Sequence, residues 1–418
     1  MHTPSPAPAV APPESLPSTR FTPAERRASG WLASIFALRM LGLFLILPVF
    51  AVHARGLPGG EQLALVGIAI GIYGLTQALL QIPLGLASDR FGRKRVIVFG
   101  LLLFAAGSLI AAFSETLYGV IAGRAIQGAG AISAAITALI ADSTRDEVRT
   151  KAMAMVGGSI GITFALSLVL APWLYAWVGM PGIFGLTALL ALAGIWVVLR
   201  RVPDAPPLPP PPSREPWHRV VLAPELLRLN LGIFTLHLVQ MAMFVAIPVA
   251  LVEHGGIPVR EHGWVYLPVV LGSFVLMLPP MLWGERRGHL RAVFLGSVAL
   301  LLVTEALLAL WWREPVALIA LLLAFFVGFN VLEATLPSLV SRMAPPESKG
   351  LALGVYNTTQ ALGLFAGGWI GGRVAGAFGY GTVFGLCAAL LCLWLVLAWP
   401  MRPPARRAAN APTPGKPG

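Results

Sequence analysis

The chain has 418 residues, 57% of them hydrophobic and only 11% charged, with a mean hydropathy of +0.78. Soluble domains run nearer a quarter charged, so this composition excludes an ordinary water-facing surface and points to lipid as the solvent. The formal net charge of +12 does not mark a nucleic-acid binder. The basic residues lie in short stretches between apolar runs and not on one polar face, and no nucleic-acid partner is expected.

Residues 1–30 are Pro-rich and polar and read as a tail without a cleavable leader. A bilayer core requires about 20 apolar residues in helical form. Runs of that kind lie at 31–52, 63–87, 96–113, 117–141, 152–175 and 182–199. After a break they resume at 229–252, 264–283, 291–311, 316–340, 350–375 and 380–399. The fold class expected is therefore an all-α membrane protein of two six-helix bundles, 31–200 and 229–400. The break at 201–228 contains Pro206, Pro207 and Pro209–Pro212, which form neither helix nor sheet and read as a stiff extended linker. Residues 401–418, rich in Pro, Ala and Arg, read as a second tail. Cys387 and Cys392 share the last apolar run and read as helix-filling residues, with neither disulfide nor metal spacing.

Lys and Arg set the expected orientation. With the N-terminus in the cytoplasm, the tails and inward loops carry 24 of the 30 basic residues. Arg55, Arg260, Arg313 and Arg373 fall outside, and Arg39 and Arg124 within spans. The positive-inside rule then places both termini in the cytoplasm. The halves also echo each other. A shift of 196 residues lays Pro83-x5-Asp89-Arg90-x-Gly92 on Pro279-x5-Glu285-Arg286-x-Gly288. Paired halves with a ligand site between them are a transporter architecture.

Between spans two and three stands Gly85-x3-Asp89-Arg90-Phe91-Gly92-Arg93-Lys94. Gly85 suits close helix contact and Gly92 a tight turn with a left-handed residue. Asp89 can accept from exposed amides at a neighbouring helix N-terminus. This loop resembles the signature of the major facilitator superfamily, and the resemblance implies that Asp89 meets the start of span eleven, around Lys349–Gly350, in a state closed on the cytoplasmic side. Leu41-Gly42-x5-Pro48-Val49 in span one and Arg124-x2-Gln127-Gly128-x-Gly130 in span four resemble motifs of its twelve-span drug:proton antiporters. Arg124, Gln127, Gly128 and Ala131 share one helix face. Span five fits the antiporter motif only in part, keeping Pro172 but placing Tyr175-Ala176 where glycines belong. Across residues 22–400 the chain is most similar to the YajR-type inner-membrane efflux group. The stretches behind this are Thr22-Pro-Ala-Glu25-Arg26-Arg27, Leu38-Arg39-Met40-Leu41-Gly42, Gly67 to Gln77, and Gly350-x3-Gly354-Val355-Tyr356. Members of that group can carry a soluble domain after the last span, and none is expected here.

Ionisable groups inside a membrane default to functional candidates, and here they are Arg39, Arg124, His237, Glu305 and Glu333. Arg39 and His237 lie at comparable depths in spans one and seven, roughly 12 Å from the cytoplasmic ends. A carboxyl in an apolar setting suits reversible protonation near neutral pH. On that ground Glu333 is a proton-coupling candidate or else a fixed partner for a basic group. Glu305 is a second carboxyl candidate, and His237 a third group whose ordinary range fits. Drug antiporters often keep an acid in span one, where this chain has Arg39. Polar stripes either line a cavity or join helices. They are Tyr73, Gln77 and Gln81; Ser159, Thr163 and Ser167; and Tyr356 and Gln360, with Gln127, Gln240 and Asn330 as further lining candidates. Met241, Met243, Phe244, Phe325, Phe326 and Phe329 would make a cavity apolar and adaptable, but the favoured reading is that they are ordinary lipid-facing residues.

The expected function is that of a secondary transporter of the bacterial inner membrane. It would work as a monomer without a cofactor, use the proton gradient, and export a small amphiphilic substrate by alternating access. No Gly-x4-Gly-Lys-Ser/Thr loop supports ATP-driven pumping. Two alternatives stand: import of a sugar or organic anion held by Arg39 and Arg124, and a membrane sensor on a transporter fold. No nucleophile–base pair suggests an enzyme.

Overall fold

The computed structural model describes residues 20–203, 217–345 and 348–401. The Pro209–Pro212 linker and most of both expected tails lie outside the described residues. Fourteen α-helices run through the described residues in chain order. The first eight are α1 (Pro23–Phe44), α2 (Leu47–Ala54), α3 (Leu63–Phe91), α4 (Arg93–Ala112), α5 (Leu117–Ala129), α6 (Ser133–Asp142), α7 (Asp146–Arg200) and α8 (Trp217–Val221). They are followed by α9 (Pro224–Glu253), α10 (His262–Arg287), α11 (Leu290–Trp311), α12 (Pro315–Met343), α13 (Lys349–Phe378) and α14 (Tyr380–Ala398).

Helix covers all twelve apolar runs. Ten helical segments are long and apolar enough to cross a membrane. Spans one and four are each made of two helices, broken at Leu45–Ile46 and at Gly130–Ile132. Spans five and six form the continuous α7, bent at Gly179 with φ 65°. The sequence repeat reappears in the backbone. Gly92 ends α3 with φ 96°, and Gly288, 196 positions on, ends α10 with φ 73°. Gly179 starts span six, and Gly379, with φ 84°, starts span twelve.

Helices α1, α3, α4 and α5 pack with α7, or with one another, into one bundle, and α9 to α14 into a second. The bundles meet along α3–α13, α7–α10 and α2–α9. Glycine allows the first of these contacts. A Cβ on Gly67 would stand 2.0 Å from the Gly368 carbonyl oxygen, and one on Gly74 would stand 2.4 Å from that of Ala361. An adjacent face of α13 meets α9 the same way, where a Cβ on Gly367 would stand 2.1 Å from the Leu238 carbonyl oxygen. Small residues are the usual means of close helix approach where lipid supplies no hydrophobic drive. α9 is enclosed: 94% of its most apolar window is buried. Met241, Met243, Phe244, Phe325, Phe326 and Phe329 are accordingly all buried, which corrects the lipid-facing expectation. A helix that is apolar on all sides belongs in the centre of a bundle.

The end away from the basic loops is closed, and glycines nearer the basic loops stand beside open space. At the closed end Arg55 pairs with Glu253 across the bundles, and Trp173 of α7 meets Trp264 of α10 with ring centroids 5.4 Å apart. Towards the basic end, Gly157, Gly158 and Gly161 of α7 and Gly350 and Gly354 of α13 have no atom within 4 Å of where a Cβ would sit.

Candidate functional site

One polar cluster forms within the second bundle. His237 donates from Nδ1 to the Ile233 carbonyl at 3.2 Å, so its Nε2 is the acceptor for the Gln360 amide, at 2.7 Å. The same amide reaches Glu333 Oε1 at 3.5 Å, and Glu333 Oε2 lies 3.7 Å from His237 Nε2. Three helices, α9, α12 and α13, thus converge on one imidazole. His237 is nearly sealed, whereas the Glu333 side chain keeps 34% of its surface accessible. Glu333 is therefore the more accessible member of the pair, although its Oε2 is itself buried. Its Oε2 has no hydrogen-bond donor among the described residues, and neither has the Tyr356 hydroxyl. Asn330, one turn before Glu333, donates to Ser273 of α10 at 3.0 Å.

A second cluster lies inside the first bundle. The Arg39 guanidinium donates to the Tyr73 hydroxyl and, at 3.4 Å, to Gln77, and it lies 5.6 Å from the Phe104 ring centre. Arg124 donates to two α3 carbonyls, those of Ala69 and Ile70, the latter at 2.9 Å. Gln127 donates to Ser108 of α4 at 2.7 Å. Arg39, Arg124, Tyr73, Gln77, Gln81 and Gln127 are all buried. They join α1, α3, α4 and α5 and do not stand on a cavity wall. A buried guanidinium needs its donors matched, and here backbone carbonyls and neutral side chains match several of them. The two clusters nonetheless abut the same seam. Tyr73 and Gln360 immediately precede Gly74 and Ala361, whose backbones touch.

The remaining candidates separate. Ser159 and Thr163 donate to carbonyls of their own helix at 2.7 and 2.8 Å. Gln240 is buried and borders a small pocket with Met243, Phe244 and Tyr266. Glu305 is fully buried beside Cys387, and neither carboxylate oxygen has a partner among the described residues. The structure does not bring it to His237.

In the loop after α3, Gly92 makes the turn, and Gly85 packs on Ala134 with 3.2 Å available to a Cβ. Asp89 is 54% exposed and pairs with Arg93, which also donates to Asp142 at 3.0 Å and Ser88 at 2.8 Å. Arg90 lies over the Phe91 ring. Asp89 is thus engaged within its own loop, and its expected contact with the start of α13 is not made. Lys94 lies in the first turn of α4.

Two features escaped the sequence reading. Glu25 forms a capping box with Thr22 and accepts from the Arg145 backbone at 3.0 Å and side chain at 2.8 Å, fastening the start of α1 to the start of α7. The Thr-x-x-Glu spacing was the available signal. Phe164 of α7 was one Phe among many, and nothing in its local sequence marks it.

The model of the Major Facilitator Superfamily matches residues 32–277 and 229–418. The chain belongs to the major facilitator superfamily. This major facilitator protein is 44% identical over 392 residues to the inner membrane transport protein YajR of Escherichia coli strain K12, covering 92% of this chain and 85% of YajR. It is 26% identical to the multidrug resistance protein MdtH of Aeromonas salmonicida, over 83% of this chain and 87% of that one. The crystal structure of a D-xylose-proton symporter shares the fold, with a TM-score of 0.71 at 14% identity, over 89% and 97% of the two chains. The transporter is a multi-pass inner-membrane protein and a secondary carrier, not an enzyme.

Proposed function

We propose that this transporter exports small amphiphilic molecules in exchange for protons, and that Glu333, His237 and Gln360 form its coupling site. The observation that carries this reading is the cluster itself. A carboxyl and an imidazole share one amide where α9, α12 and α13 converge. In the neutral tautomer, His237 Nε2 accepts from Gln360. A proton on that nitrogen would set donor against donor, release Gln360, and turn the imidazolium towards Glu333 Oε2. Protonation of Glu333 would instead remove its charge. Either event changes which helices the cluster ties together, and a two-state carrier needs such differential contacts. Export draws support from the likeness to YajR and from the name of MdtH.

In this reading residues 31–200 and 229–400 are the rocking bodies, joined through 201–228. The basic end is cytoplasmic with both termini, and one copy suffices. Arg39 and Arg124 spend part of their donors within the first bundle, and import of an anion held by the donors left over is the second reading. The test uses proteoliposomes holding a pH gradient. Adding amphiphiles from a panel of aryl amines and alcohols should dissipate the gradient with the wild type, and not with Glu333→Gln. Equal uptake of those compounds with and without a gradient, in both proteins, would refute proton coupling.

A further inference from the structure

Phe164 is a residue of the first bundle whose ring is seated among rings of the second. On its own side it meets Phe44 edge-on, with centroids 5.0 Å apart. On the other side three rings surround it: Phe326 at 5.9 Å, Phe329 at 6.0 Å and Phe244 at 6.3 Å. Phe329 in turn lies 5.8 Å from the His237 ring. Phe164 is 8% exposed, and its three partners from α9 and α12 are 5% exposed or less. One helical turn before it, Gly161 has only open space beside it. Phe164 is thus seated in the opposite bundle one turn beyond an open stretch of α7.

We propose that Phe244, Phe326 and Phe329 form an aromatic receptor of the second bundle, that Phe164 is its resting occupant, and that an aryl ring of the transported molecule takes the place of Phe164. The inference rests on the reading of two bundles that rock about a central site, and not on the proton step. Its physical basis is an exchange of like for like. Edge-to-face and tilted ring pairs at these separations are favourable beyond simple burial, so leaving the receptor empty is costly. When the bundles part at the level of Phe164, that ring is withdrawn with α7. Another ring has to fill the gap, or the separation carries the cost of an apolar void. A compound with a phenyl-sized ring removes that cost, and a compound without one does not. The receptor therefore both selects the substrate and makes opening depend on it. Because Phe329 is shared with His237, filling the receptor also sets the wall of the coupling cluster.

The test uses the full-length protein in detergent, with benzyl alcohol as the probe and cyclohexylmethanol as its non-aromatic counterpart. Affinity is read by saturation-transfer NMR. Phe164→Ala removes the internal competitor, and benzyl alcohol should bind it about tenfold or more tightly than the wild type. Cyclohexylmethanol should gain much less, and Phe164→Ala/Phe329→Ala should lose the gain. In a protein carrying 4-fluorophenylalanine at position 164, saturating benzyl alcohol should move the fluorine resonance. Equal affinity in wild type and Phe164→Ala, or a fluorine signal unchanged at saturating probe, would overturn the proposal. Should Phe164→Ala fail to fold, Phe164→Leu and the fluorine measurement decide it. No pH gradient enters either measurement, so Glu333→Gln can disprove coupling while this result stands, and the reverse.

Discussion

Arg55, at the end of α2, donates to Glu253, at the end of α9, and this pair ties the two bundles together at the end away from the basic loops. Both side chains remain about two-fifths exposed, 41% and 39%, so the pair contributes at most about 1 kcal/mol. That suffices to bias a carrier whose states differ by little. Arg55→Glu should shift the resting population about fivefold towards the state open at that end. Arg55→Glu/Glu253→Arg should restore it. Maleimide labelling of Leu170→Cys in a Cys387→Ser/Cys392→Ser background reads the shift, and equal labelling in all three proteins would reduce the pair to surface decoration.

Glu333→Gln keeps the shape of the side chain and removes its titration. Gradient-driven transport should fall by about a hundredfold or more, while binding and expression stay largely intact. Counterflow, which requires no gradient, should persist. A mutant that still concentrates substrate against a gradient would make Glu333 a structural partner of His237.

The Glu25–Arg145 pair predicts an acid limb in stability. Glu25 lies ahead of the apolar run that starts at Trp31. Chiefly the Arg145 side chain holds its carboxyl well below the ordinary range, with the Thr22 and Arg145 amides adding to this. A depressed carboxyl contributes stability that is complete above its unfolded value and is lost as pH falls towards the folded one. Thermal stability should therefore decline on acidification below about pH 4, and Glu25→Gln should be less stable at neutral pH with a flatter acid limb. Thr22→Ala, which removes the other half of the capping box, should cost about 1 kcal/mol. Melting followed by tryptophan fluorescence across pH provides the measurement. Parallel curves for wild type and Glu25→Gln would rule out the linkage.

The membrane orientation is checked by reporter fusions after Arg201 and at the C-terminus. Both should read cytoplasmic. A periplasmic signal from either would overturn the count of twelve spans.

The spans were legible because the bilayer imposes one length and one chemistry on each. The repeat was legible because Gly92 and Gly288 each end a helix with a positive φ, which few other residues tolerate. Pairing was harder to read. Arg39 and His237 occupy matching depths, yet Arg39 turns to α3 and α4 inside its bundle while His237 turns to α12 and α13. Depth follows from position along the helix, but the direction of a side chain depends on neighbours distant in sequence. The six Met and Phe residues read as lipid-facing are interior for the same reason. Hydropathy cannot separate a greasy surface from a greasy core when the solvent is itself apolar.

Helix α13 presents Gly67's partner Gly368 on one face and Leu238's partner Gly367 on an adjacent one. Between soluble helices, side-chain ridges lock into grooves and fix the crossing. Bare backbone has no ridges, so these two contacts hold α13 close without indexing it to a particular step. Such a helix works as a greased bearing between the bodies it touches. A single added methyl on either track would act as a brake, slowing the cycle even where the resting structure survived.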